Sequence, residues 1–227
     1  MARKITKNRL LLGEGRDEVH FFNAFLRNVG LHDAVQVLDT EGKDNIPPYL
    51  QTLPDDDFFY GCDEFFLAIT RDADTVEEGT DGVFRQVAGS VEQAFESVAG
   101  ALTTAGLPTP ANPGKIETGE GSKCKVGVFI FPDNRGTGML EDLCLQAIDE
   151  QPEMVCLEEY LECAREKANL APGIESKGRV QAWLALQPHS DRRLGIGAEK
   201  GYWPFDHPVF DQLKRFLLDL FATSGTS

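Results

Sequence analysis

Phe65-Phe66-Leu67-Ala68-Ile69-Thr70 carries no charge and runs directly into Arg71-Asp72-Ala73-Asp74. An apolar run of this kind, continuous rather than alternating, is what a strand covered on both faces requires, as at the centre of a parallel sheet. Residues 125–131 (KVGVFIF) have the same character and end at Pro132-Asp133-Asn134. Working outward, residues 8–13 (NRLLLG) and 34–38 (AVQVL) read as shorter strands closed by Glu14 and Asp39. Between them Val19, Phe22, Phe25, Leu26 and Val29 recur at helical spacing, and Gly30 supplies a stop. Strands alternating with helices predict an α/β fold: a mostly parallel, Rossmann-like sheet flanked by helices.

Asp44 to Pro48 predicts a turn into a short helix. A further helix is expected over residues 81–105, its face written by Phe84, Val87, Val91, Phe95, Val98 and Leu102. Residues 106–122, rich in Gly and Pro, read as a loop with room for a small hairpin. Beyond residue 138 the pattern turns helical, over 139–148, 153–170 and 177–186. Asp206 is the expected N-cap of a last helix carrying Phe210, Leu213, Leu217 and Phe221. The chain is therefore expected to form one domain over 1–227, with a core at about 8–150 and a helical C-terminal extension at about 151–222.

The composition, 41% hydrophobic and 26% charged over 227 residues, is that of a globular chain able to bury a core without staples. Five cysteines, an odd number with no CxxC pair, argue against an oxidised secreted framework. The basic start Arg3-Lys4 is followed by only Leu10-Leu11-Leu12, too short for a signal peptide, and no run reaches transmembrane length. A cytoplasmic protein with no membrane partner is expected. The net charge of −15 offers no polybasic footprint for nucleic acid.

Open parallel sheets place their sites at the carboxyl ends of strands. Here those positions are Glu14, Asp39, Asp72 with Asp74, and Asp133, so every expected strand ends on an acid. Asp is also favoured in turns, and that reading stays open for each. Carboxylates crowded at one sheet edge repel unless something neutralises them, and hard oxygen donors suit Mg²⁺ or Mn²⁺ better than zinc. Glu18 lies one helical turn after Glu14 and can face the same space. Glu141 falls in the first turn of the helix after Asp133, where the helix dipole alone would favour an acid.

Two parts of this pattern are familiar. Leu11-Leu12-Gly13-Glu14-Gly15, followed at a distance by Ile69-Thr70-Arg71-Asp72-Ala73-Asp74, resembles the Toprim pattern of a strand-end glutamate and a later strand-end Asp-x-Asp. More narrowly, Val128-Phe129-Ile130-Phe131-Pro132-Asp133-Asn134 with Gly138-Met139-Leu140-Glu141-Asp142-Leu143 resembles an uncharacterised bacterial Toprim-like family. So does Lys200-Gly201-Tyr202-Trp203-Pro204-Phe205-Asp206-His207-Pro208. The resemblance implies a Toprim sheet that binds Mg²⁺ and acts in phosphoryl transfer or phosphodiester hydrolysis, as in topoisomerases, primases and overcoming-lysogenization-defect nucleases. Carried onto this chain it implies metal ligation by Asp72, Asp74 and Glu18, with Glu14 as ligand or acid/base. Asp133 or Glu141 would complete a second metal site, and two ions clamp the attacking and leaving oxygens of a phosphodiester. Lys177 matches a lysine that steadies transition-state charge; a solvated helix-end lysine is the alternative.

The departure from that pattern is the lack of any recognisable ATPase, DNA-gating or zinc-binding partner module. Two functions therefore stand side by side: a metal-dependent nuclease or phosphotransfer enzyme on nucleic acid or a nucleotide, and a non-catalytic metal-holding module acting through a protein partner. Other motifs fall away. Gly13-Glu14-Gly15 lacks the third glycine of a dinucleotide loop, where Glu18 would repel a pyrophosphate. The four histidines form no triad with a nucleophile, and Tyr202-Trp203-Pro204-Phe205 reads first as a packing anchor.

Overall fold

A computed structural model of the chain describes residues 4–78, 84–87, 89–168, 175–189 and 191–222. The elements in order are β1 (Arg9–Gly13), α1 (Arg16–Asn28), β2 (Gln36–Asp39), α2 (Ile46–Thr52), α3 (Asp57–Gly61) and β3 (Phe65–Asp72). There follow β4 (Thr75–Glu78), β5 (Phe84–Val87), α4 (Val91–Thr104), β6 (Ile116–Thr118) and β7 (Cys124–Phe131). The C-terminal part is helical: α5 (Leu140–Gln146), α6 (Pro152–Ala168), α7 (Glu175–Ala185), α8 (Leu194–Glu199) and α9 (Asp211–Phe221).

The main sheet has five strands in the order β2-β1-β3-β7-β6. β1, β2, β3 and β7 are mutually parallel, and only the edge strand β6 runs antiparallel, as the first arm of a hairpin with β7. The fold class read from the sequence is thus the one observed. Both faces are covered, which is why the central strands are apolar throughout. Leu11, Val37, Phe66, Ala68, Phe129 and Phe131 point into a core shared with α1 and the C-terminal helices. Leu10, Leu12, Phe65, Leu67, Ile69, Val128 and Ile130 point into the opposite core, under α2 and α4. Gly127 on β7 makes room for α9: a Cβ there would stand 2.7 Å from the Phe216 ring.

The chain passes from β1 outward to β2 and then returns to the other side of β1 as β3. The order of connection reverses between β1 and β3, and the loops leaving their carboxyl ends part in opposite directions. A crevice opens at such a switch point.

Three expectations differ from what is observed. Of the helix expected over 81–105, residues 81–83 and 88 lie outside the described residues; Phe84 to Val87 form the strand β5, and the helix is the shorter α4. The helix starts where Ser90 caps it, its Oγ accepting from Gln93 N at 3.3 Å. Asp206 does not cap the last helix; a 3₁₀ turn at Pro208–Phe210 intervenes, with His207 Nδ1 accepting from Val209 N at 3.3 Å. Finally, α8 forms around Gly195-Ile196-Gly197, where no helix is expected, because α1 lies too close for side chains. A Cβ on Gly195 would meet the Asp17 carbonyl oxygen at 2.1 Å.

No helix among the described residues is long and apolar enough to cross a membrane.

Candidate active site at the sheet switch point

Glu14 immediately follows β1, and its peptide N–H is held by the Glu18 carboxylate, Oε2 accepting at 3.0 Å. Glu18 is the third residue of α1, the position from which a glutamate reaches back over the helix start. Gly13 leaves the space for it, since a Cβ there would stand 2.9 Å from Glu18 Oε2. Across the switch point, Glu14 Oε1 accepts from Asp72 N at 3.3 Å, tying the ends of β1 and β3 together. Asp72 in turn accepts from Leu140 N, the first residue of α5, at 3.0 Å through Oδ1. That contact sets the start of α5 against the strand end and brings Glu141, in its first turn, to the same crevice.

Lys177 arrives from α7, its Nζ 3.8 Å from Glu141 Oε1. Its neighbour Ser176, buried, donates a short hydrogen bond to Asp142 Oδ1, while Asp142 Oδ2 accepts from Met139 N at 2.7 Å. Asp142 thereby fastens α7 to the start of α5. Together Glu14, Glu18, Asp72, Glu141 and Lys177 line one cavity of about 450 Å³, with Arg192 and Arg193 at its rim.

The electrostatics are those of an acid cluster short of positive charge. Burial holds the Asp72 carboxyl well above the usual carboxylate range, and the charges of Glu14, Glu18 and Glu141 add to it against the Leu140 N–H. Glu18 is pushed well up by burial and then by Glu14, opposed by the Glu14 N–H and Lys177. Burial also raises Glu14, against Arg71 4.0 Å away, and Glu141, against Lys177. Such a cluster takes up protons or a cation.

The remaining acids singled out by sequence stand elsewhere. Asp74 is buried, with Oδ1 accepting from Gly89 N at 3.0 Å. Asp133 forms a turn, Oδ1 accepting from Arg135 N at 3.0 Å and Gly136 N at 2.7 Å. Asp39 accepts from Glu41 N at 2.6 Å. None of the three lines the cavity. Conversely, sequence reasoning passed over Arg192, Arg193 and Gln181, which no motif marks and which reach the cavity only through the packing of α7 and α8.

As donors Glu14, Glu18, Asp72 and Glu141 offer hard oxygens only; a fifth acid on the cavity wall, Asp17, is engaged with Gly195 N at 2.8 Å. Among the described residues, no group of three or more His, Cys, Asp or Glu is arranged so that it could hold a metal ion as it stands. Glu14, Glu18 and Asp72 each turn one oxygen to a backbone N–H. The second oxygen of each accepts no hydrogen bond among the described residues.

Residues 8–222 match the family described as "Protein of unknown function (DUF3226)". The chain belongs to that family. In this DUF3226 chain the switch-point cavity is the guide to function. No curated protein matches it. Among solved structures it is similar to the C-terminal region of the Xanthomonas campestris pv. campestris OLD protein, at 12% identity over 96% of this chain and 98% of that one, with a TM-score of 0.47.

Proposed function

We propose that this chain is a Toprim-like protein that binds Mg²⁺ or Mn²⁺ in the switch-point cavity and uses it in phosphoryl transfer or phosphodiester hydrolysis. The observation that carries this reading is the convergence of Glu14, Glu18, Asp72 and Glu141, from the ends of β1 and β3 and the starts of α1 and α5, onto one buried, charge-deficient space. Burying uncompensated carboxylates costs stability, so their collection at a ligand crevice calls for a cationic partner. The donor chemistry fits a hard divalent ion. The spacing requires the acids to turn their second oxygens inward on binding.

Glu14, Glu18 and Asp72 are the first ligand set, with Glu141 beside them; Asp74, which accepts from the distant Gly89 N, and Asp133, which closes a turn, stand outside it. A divalent ion supplies charge neutralisation for a phosphoryl group and activation of water. Glu14, next to Arg71 and at the open side of the cluster, can hold or release a proton. Lys177, held in place by Ser176 and Glu141, offsets negative charge on a phosphoryl oxygen.

The test is a panel of DNA, RNA and nucleotides incubated with Mg²⁺ or Mn²⁺. Turnover abolished by EDTA and by Asp72→Ala is expected. Metal binding without turnover on any of them would instead favour the non-catalytic, partner-dependent module.

A further inference from the structure

A second depression of about 530 Å³ lies between α6 and α7, and it is mostly apolar. Leu157 and Tyr160 form one side, Ala182, Ala185 and Leu186 the other. Tyr160 and Leu186, 67% and 61% exposed, both line this groove, so the exposed apolar surface is gathered in one place. The groove is not isolated. Gln181 and Arg192 line both it and the acidic cavity, so the two depressions share a wall. Arg192 is exposed and, among the described residues, makes no hydrogen bond or ion pair, whereas its neighbour Arg193 is paired with Asp191 at 2.6 Å.

From this juxtaposition we infer that the groove is the second half of the substrate site, and that the substrate is a small phosphate ester bearing a planar apolar ring, of mononucleotide size. This rests on the reading of the acidic cavity as the metal site. Phosphate chemistry is served at one end by the acids and Lys177. Arg192, at the junction, is placed to take a phosphate oxygen that the acids would otherwise repel. The groove beyond offers an aromatic face, Tyr160, and the low side chains Ala182 and Ala185, between which a flat ring can lie. A long nucleic acid is a poorer occupant. The surface carries −15 net charge, and a polymer would have to bring many phosphates past it, whereas a single ester brings one or two.

The experiment is equilibrium titration of AMP and of ribose 5-phosphate, with Mn²⁺ present, against wild type, Ala185→Trp and Arg192→Ala. Both substitutions are at exposed positions, and Mn²⁺ affinity is followed in parallel by electron paramagnetic resonance. AMP is expected to bind about tenfold or more tightly than the ring-less ester, the scale of one buried stacking contact. Ala185→Trp should erase that difference with unchanged Mn²⁺ affinity, and Arg192→Ala should weaken both esters alike. Equal affinity for the two esters, or a preference that survives Ala185→Trp, overturns the inference. So does self-association that Ala185→Trp abolishes while AMP holds no advantage. If Mn²⁺ fails to bind but AMP keeps its groove-dependent advantage, the metal reading alone falls and the ring site stands.

Discussion

Glu14 and Asp72 stand at the ends of β1 and β3; Asp39 and Asp133 stand at the ends of β2 and β7. Chemically the two pairs are alike, and each residue accepts a backbone N–H. The difference is in whose N–H it is. Asp39 and Asp133 take donors two or three residues ahead, so these bonds close local turns, and Asp39 Oδ2 also lies 4.0 Å from the Arg16 guanidinium. Asp72 and Glu14 take donors from elements 68 and 58 residues away. They hold separate elements together around a space, and two more acids, Glu18 and Glu141, are carried into that space by the helices so positioned. A strand-end acid becomes a candidate ligand when the chain reverses beside it, and a turn residue when it does not.

The largest way to break this comparison is to remove one acid from each pair. Asp72→Ala should lower Mn²⁺ affinity by about 100-fold or more, since even outer partners of a metal ligand are worth about 10–100-fold. Asp133→Ala should leave affinity unchanged while costing about 1 kcal/mol for its lost turn bonds. Calorimetric titration of both variants checks this, and equal losses would erase the distinction.

A gentler change sharpens it. Gly13→Ala places a methyl 2.9 Å from Glu18 Oε2 and 3.2 Å from its Cβ, so the carboxylate must move while every acid remains. Mn²⁺ affinity should fall about tenfold, in the range of a displaced supporting group. An unchanged affinity would mean that Glu18 is not a ligand.

The smallest effect concerns pH. Acids whose carboxyls are raised in the folded protein stabilise it below their unfolded values, and that contribution is lost as pH rises through the folded values. Glu14, Glu18, Asp72 and Glu141 are all raised. In EDTA the contribution of these groups to stability should therefore fall as pH rises upward from the ordinary carboxylate range, and saturating Mg²⁺ should remove the fall. Asp72→Asn, which keeps an oxygen for Leu140 N, should add about 1 kcal/mol to the metal-free protein near neutral pH, as neutralised functional acids do. Thermal midpoints against pH, with and without Mg²⁺, decide it; a metal-free protein insensitive to Asp72→Asn would contradict it.

Much of the framework was legible in the chain. The uncharged runs from Phe65 to Thr70 and from Val126 to Phe131 have the length and the β-branched and aromatic content of strands covered on both faces, and the helices between them follow from spacing. Phe84 and Val87 misled because, three apart and in step with Val91, Phe95 and Val98, they extend a helical stripe seamlessly; only the cap at Ser90 separates them. The helix at Gly195 and Gly197 was hidden because glycine disfavours helices, and the reason to use it there, the approach of Asp17 and Leu184, is tertiary. Of the site, the acids were legible as a set, but their sorting into cavity and turn was not, since that depends on strand order. Arg192 and Gln181 left no local signal at all.

The most direct test is a crystal of the protein soaked in Mn²⁺, with the ion located by anomalous scattering. The account predicts a peak in the switch-point cavity, ligated by at least three of Glu14, Glu18, Asp72 and Glu141. A peak at Asp74 or at the Asp133 turn instead, or none in the cavity at saturating Mn²⁺, would contradict it.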